Sequence, residues 1–195
     1  MKKIAILMRG HVRSYKKTYP ILKKIILDNF DCDIFIHSWD CDKEILKLYN
    51  PVAFKIEKKP NYNLVHTNKK IFNRLKISYR NQIYSNIVLT NLMKKYKTDN
   101  NINYDMVIYT RFDMFFYENT YKYLDNIQDK YFIMYHPNPK YTDLTVTIDY
   151  NTSLKFGNIF NYIKRPIGYS GLINLFSLTI ENIKIYKYLY CWILR

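Results

Sequence analysis

Ile4-Ala5-Ile6-Leu7-Met8-Arg9-Gly10 is the stretch that decides the fold. Five apolar residues in a row, stopped by a charge and a glycine, develop no helical period. They fit a short strand buried on both faces. Asp33-Ile34-Phe35-Ile36-His37 repeats the pattern, residues 51–56 supply a third strand, and residues 104–110 a fourth. Between the first two strands, Ile21, Leu22, Ile25 and Ile26 share one face while Lys16, Lys17, Lys23 and Lys24 lie elsewhere. That spacing predicts an amphipathic helix, with Pro20 near its first turn. Residues 68–96 lack Pro and Gly and read as one long helix or two consecutive ones.

Strand, helix, strand, helix, strand in this order predicts an α/β domain: an open mixed, mainly parallel sheet with flanking helices. Beyond Glu118 the alternation is less regular. Strands are expected at residues 131–135 and 144–148, a loop at His136-Pro137-Asn138-Pro139, turns through residues 151–171, and a closing helix over residues 178–194. No repeat, low-complexity tract or linker divides the chain, so residues 1–195 read as a single domain.

With 48% hydrophobic residues the chain can bury a sizeable core, which excludes disorder. Lys and Arg outnumber Asp and Glu by 31 to 16, and the net charge of +15 points to an anionic partner: nucleic acid, a nucleotide or a membrane surface. The lysines are spread along the chain in a composition rich in Lys, Ile, Asn and Tyr, as AT-rich coding favours, so part of this charge is background. Cys32, Cys41 and Cys191 are odd in number and form no CxxC, which suits a reducing compartment. The run Ile4 to Met8 is too short for a signal peptide, and Glu181, Lys184 and Lys187 break the longest apolar stretch, residues 172–194. A soluble, cytoplasmic protein is expected.

In an open α/β sheet, ligands bind beyond the carboxyl ends of the strands. The first strand delivers Arg9, Gly10, His11 and Arg13 there, the second His37, Ser38, Trp39 and Asp40, and the fourth Arg111 and Asp113. Gly10 is one of only four glycines, so its place after a strand reads as positive φ or close approach to a ligand, against an ordinary turn. GxGxxG and GxxxxGK[ST] are both absent, which removes dinucleotide-binding Rossmann domains and P-loop NTPases. Arg111 and Asp113 point to the same side if the strand continues. Either they form a structural ion pair, or Asp113 binds a divalent cation, Mn²⁺ or Mg²⁺, while Arg111 meets phosphate or ribose. Trp39 and His37 suit base stacking with an edge contact, or Trp39 packs over the strand end as core. Of Gln82 and Tyr84, at most one faces the site. His66 reads as a surface residue, and the tyrosines from Tyr117 to Tyr141 as a sugar-stacking wall or as scatter from a chain with 21 of them.

Four blocks carry a resemblance. Arg9-Gly10-His11-Val12-Arg13 after the first strand, His37-Ser38-Trp39 after the second, Asn81-Gln82-Ile83-Tyr84-Ser85 in the long helix, and Tyr109-Thr110-Arg111-Phe112-Asp113 stand in the order seen in a group of GT-A-type glycosyltransferases. That group occurs in polysaccharide gene clusters and in large DNA viruses. The resemblance covers residues 1–118 and implies a nucleoside-diphosphate sugar donor, a divalent metal, and a glycan, glycoprotein or lipid-linked acceptor. Carried over, it implies that Gly10 and Arg13 line the nucleotide pocket and that Asp113 faces the metal. Arg9, His37, Trp39 and Arg111 are expected in the same donor pocket from their places at the strand ends, and residues 119–195 are expected to form a smaller acceptor-side part. Arg9 and His11 stand where the group has Ser and Gln, and Tyr109 replaces an Arg. A strict Asp-x-Asp is missing at 111–113; Asp31-Cys32-Asp33 and Asp40-Cys41-Asp42 spell one but sit in the wrong places. No catalytic base is assigned: Asp143, Asp149 and His136 lie on the acceptor side and none stands out.

Two other classes compete. A basic nucleic-acid-binding α/β module would cluster its cations on one surface and bind in a salt-sensitive way. A methyltransferase would want a glycine-rich turn after the first strand, which is missing. Leu189, Trp192 and Ile193 with Lys184, Lys187 and Arg195 would suit peripheral contact with an anionic membrane, or a helix packed on the core.

Overall fold

Alternation along the apolar strands sends their side chains to two sides of one sheet. The computed structural model describes residues 1–40, 43–62, 73, 77–116, 118, 120–126, 131–134, 145–157 and 192–193. β1 (Lys3–Arg9) pairs in parallel with β2 (Asp31–Ser38) on one side and β4 (Met106–Arg111) on the other, and β3 (Ala53–Ile56) extends the sheet beyond β2. The order is β3-β2-β1-β4-β7-β6, in which β7 (Thr145–Ile148) runs antiparallel to β4 and to β6 (Tyr131–Met134). This is the open, mainly parallel sheet expected.

Ile4, Ile6, Met8, Ile34, Ile36, Met106 and Ile108 face one layer. It consists of α1 (Tyr15–Leu22), the π-helical turn Lys23–Leu27 that continues it, and α2 (Lys43–Tyr49). Ala5, Leu7, Phe35, Val107 and Tyr109 face the other, where the long α3 (Ile77–Asn100) packs through Ile83, Tyr84, Ile87, Val88 and Met93. Both parities are buried because both faces are covered, which is why these strands read as unbroken apolar runs.

Four local expectations are corrected or narrowed. Pro20 lies inside α1 rather than near its first turn, where it removes the N–H that would bond back to Lys16. The long helix is described over Ile77–Asn100, and most of 63–76 lies outside the described residues. Within the segment read as turns, Tyr150–Gly157 forms a helix, α5, the next in chain order after α4 (Thr120–Asn126). Asp149 caps it, its Oδ1 accepting from the Thr152 amide at 3.1 Å, so a short polar run became a helix start. Gly157 sits where a Cβ would meet Thr90 Oγ1 at 2.1 Å, and only glycine allows α5 this close to α3. Finally, Trp192–Ile193 is not helical but forms a strand, β8, antiparallel to β5 (Met114–Phe115). An open strand edge elsewhere in the chain decided that segment, as tertiary context commonly does for aromatic and β-branched residues. Residues 178–191, the loop 136–139, His66 and Asp143 lie outside the described residues. Among those described, no helix is long and apolar enough to cross a membrane.

Candidate functional site

Register brings three residues into one row. Arg9 is paired with His37 on β2 and with Arg111 on β4, so all three stand at the carboxyl ends of adjacent strands. Each shares parity with the residues packed on α3, so the row points toward that helix. β1 ends at Gly10, whose φ of 101° lies in the region that favours glycine. A Cβ there would meet no atom within 4 Å, so backbone conformation and not space selects glycine. The turn closes with the Gly10 amide bonded to the His37 carbonyl at 3.3 Å and the Arg13 amide to the His11 carbonyl at 2.9 Å. It carries Arg13 to the rim.

A cavity of about 300 Å³ opens between this row and α3. Its strand-end side is formed by Arg9, Gly10, His11, Arg13, Trp39 and Arg111, and its helix side by Ile77, Ser78, Asn81, Gln82 and Ser85. Five of the six residues expected in a donor pocket, Arg9, Gly10, Arg13, Trp39 and Arg111, therefore share one space. Among the described residues no carboxylate lines it. Arg9 is 2% exposed, so its guanidinium presents a desolvated fixed charge at the cavity.

His37 stands one layer behind. It is fully buried, its Nδ1 is 2.9 Å from Ser85 Oγ and its Nε2 is 2.9 Å from Glu57 Oε1. Lys55 holds the other Glu57 oxygen at 2.9 Å and donates to the Tyr84 hydroxyl at 3.0 Å. Trp39 is half-buried and does two things: it lines the cavity, and it packs edge-on to His37 with centroids 4.7 Å apart and stacked on Tyr84 at 5.8 Å. Of the helix pair, Gln82 reaches the cavity and Tyr84 is core.

Asp113 is 3% exposed and is held by Arg111 through two bonds, Nε to Oδ1 at 2.8 Å and Nη2 to Oδ2 at 2.6 Å. The carboxylate thus fixes the plane of a guanidinium that lines the cavity. Both its oxygens are engaged in doing so. Among the described residues no group of three His, Cys, Asp or Glu is placed to hold a metal ion. Asp31 and Asp33 lie at the opposite end of β2, bound to Lys3 at 2.9 and 3.0 Å, with Asp33 also accepting from the Tyr104 hydroxyl at 2.8 Å. Burial pushes the Cys32 thiol up to about 12, which removes it as a nucleophile at neutral pH.

Of the helix wall, the sequence reading placed Asn81, Gln82 and Ser85 in one helix block but gave the site at most one of Gln82 and Tyr84, and it missed Ser78. The signal for the whole wall was present: Ser78, Asn81, Gln82 and Ser85 fall at i, i+3, i+4 and i+7, a polar stripe on one face of a helix whose neighbouring face is core. Glu57 was also overlooked. It follows Lys55 by two residues at the end of the β3 edge, so both side chains turn inward together.

The buried relay makes stability depend on pH. Burial lowers the pKa of His37 from 6.5 despite the upward pull of Glu57, so the unfolded chain takes up this proton first as pH falls. Burial pushes Glu57 up, but bonds from Tyr84, Lys55 and His37 outweigh it and hold the carboxyl below 4.5. Both signs agree. The His37 contribution is complete above 6.5 and erodes as pH falls from there toward its folded value, and that of Glu57 erodes below 4.5. Urea midpoints are expected to drop between about pH 7.5 and about pH 5, and to drop less in His37→Gln. An identical slope in the variant would assign the acid sensitivity to other groups.

No family model matches the chain, and no curated protein matches it in sequence. Solved structures are similar to it over nearly the whole chain. One is a glycosyltransferase involved in the glycosylation of the major capsid of PBCV-1, at 6% identity over 96% of this chain and 82% of that one, with a TM-score of 0.45. Another is the mannosyltransferase PcManGT from Pyrobaculum calidifontis in complex with GDP-Man and Mn²⁺, at 7% identity over 97% of this chain, with a TM-score of 0.50. The chain spans 56% of the length of that mannosyltransferase. At 7% identity the likeness to the mannosyltransferase is one of fold alone.

Proposed function

We propose that the cavity takes the diphosphate of a nucleoside-diphosphate sugar and that the chain is a glycosyltransferase, moving the sugar to a glycan, glycoprotein or lipid-linked acceptor. The observation that carries this is the convergence of Arg9, Arg13 and Arg111 on one cavity, lined among the described residues by no carboxylate, beside the ring of Trp39. Guanidinium forks match phosphate oxygens in pairs, and an indole offers a face to a base. A fold shared with a mannosyltransferase solved with GDP-Man supports the reading. Every described lining residue falls within residues 1–118, and we assign residues 119–195 to the acceptor side.

As the bond between the anomeric carbon and the diphosphate oxygen breaks, negative charge grows on the departing diphosphate. Donors already aimed at that charge lower the barrier without reorganising. Arg9 supplies a desolvated donor, Arg111 one oriented by Asp113, and Arg13 one that can reach in from the rim. Among the described residues no group of three metal ligands gathers at the cavity, and both Asp113 oxygens accept from Arg111. Each oxygen keeps a lone pair, so Asp113 is the residue that would hold a Mn²⁺ or Mg²⁺ whose other ligands came from the diphosphate. We assign the larger part of the charge on the diphosphate to the three arginines that line the cavity.

A thermal-shift screen of UDP-, GDP- and TDP-sugars tests the reading. At about a hundredfold excess over Kd a ligand stabilises by about 2.7 kcal/mol, which for a chain of this size raises the midpoint by roughly 5–10 °C. That shift is expected with at least one donor, and it is expected to survive chelation. A flat response to all donors, with salt-sensitive binding of DNA or RNA, would replace this reading by the nucleic-acid one.

A further inference from the structure

We propose that Ser85 is a fixed hydrogen-bond acceptor on the helix wall of the cavity, held in that role by His37 and Glu57, and that it receives an N–H or O–H of the ligand's nucleoside. The proposal rests on the nucleoside-diphosphate reading above and adds to it which end of the ligand the helix wall recognises.

The roles follow by elimination along the chain of bonds. The Glu57 carboxylate is ion-paired with Lys55 at 2.9 Å and can only accept. His37 Nε2, 2.9 Å from it, must therefore carry the proton. A fully buried ring beside one carboxylate that Lys55 already neutralises stays uncharged, so Nδ1 is a bare lone pair. The lowered pKa of His37 agrees. Ser85 Oγ, 2.9 Å from that lone pair, has one proton, and the imidazole takes it. What Ser85 keeps for the cavity it lines is oxygen lone pairs.

Arg9, Arg13 and Arg111 offer only donors, so the cavity is chemically divided. The strand-end side takes oxyanions, and the wall at Ser85 takes an N–H or O–H. Pyrophosphate satisfies the first and has no base or ribose to offer the second. A nucleoside diphosphate satisfies both, through a base N–H or a ribose hydroxyl.

Calorimetric titration of the whole chain with pyrophosphate, UDP and GDP separates the two sides. Ser85→Ala is expected to bind the preferred nucleoside diphosphate about tenfold more weakly and pyrophosphate within about twofold of the wild type. Ser85→Thr keeps the hydroxyl and is expected to restore the affinity, which guards against a merely misfolded alanine variant. Analogues of the preferred nucleotide identify the donor. Whichever of the N-methylated base or the 2′- or 3′-deoxyribose form removes the matching group loses about tenfold against the wild type and nothing further against Ser85→Ala. Equal losses for pyrophosphate and nucleotide in Ser85→Ala, or no loss for either, overturn the inference while leaving the donor site standing. Failure of the wild type to bind any nucleoside diphosphate overturns both.

Discussion

Replacing Asp113 with alanine is expected to lower the unfolding midpoint by roughly 6–12 °C and to weaken nucleoside-diphosphate binding about tenfold. The stability loss comes from removing the carboxylate of a largely buried, doubly bonded pair. Such losses run to about 3–5 kcal/mol, and the lower end applies because the Arg111 side chain keeps 23% of its surface in solvent. The binding loss has a separate origin. Arg111 lines the cavity, and without two anchored N–H groups its guanidinium plane is no longer set toward the ligand. Asp113→Asn retains one acceptor and is expected to fall between the alanine variant and the wild type on both measures. The comparison also discriminates between a partner for Arg111 and a metal ligand. If Asp113 held a cation, Mn²⁺ would tighten donor binding in the wild type and not in the variant. If the arginines alone hold the diphosphate, chelation leaves both unchanged. A variant with native midpoint and native affinity would remove Asp113 from the site altogether.

Arg9→Met is expected to raise the Kd for the donor about 10- to 100-fold, and by the same factor for pyrophosphate. A hydrogen bond to an ionised partner contributes about 1.5–3 kcal/mol, and more where water is excluded. Arg9, at 2% exposure, is the most desolvated of the three arginines and so carries the largest share. Arg13 is exposed, and its removal is expected to act mainly on the association rate and its salt dependence. Titration of the two variants at low and high salt checks the ranking. Equal losses from Arg9→Met and Arg13→Met would mean that burial confers no advantage here.

Arg9 and Ser85 mark opposite ends of the cavity's chemistry and were unequally visible beforehand. Arg9 ends an apolar strand, an anomaly in one dimension that needs no partner to be noticed. Ser85 is an ordinary residue in a helix. It acquires its role from His37, 48 positions away, and His37 acquires its own from Glu57, 20 positions away. The same holds for Asp113, whose sequence position allowed an ion pair or a metal ligand. The bond lengths to Arg111 show the pair.

Read alone, the amino-acid order determined the unbroken apolar runs of β1, β2 and β4, and hence a sheet covered on both faces with polar residues at its carboxyl ends. That information is local, because period and interruption are properties of neighbouring residues. Only the folded molecule decided the register that sets His37, Arg9 and Arg111 in a row, the packing of α3 that closes a cavity over them, and the strand made by Trp192–Ile193. Those outcomes depend on contacts between residues far apart in the chain. Their energies compete across the whole structure, and no short window of sequence contains both partners.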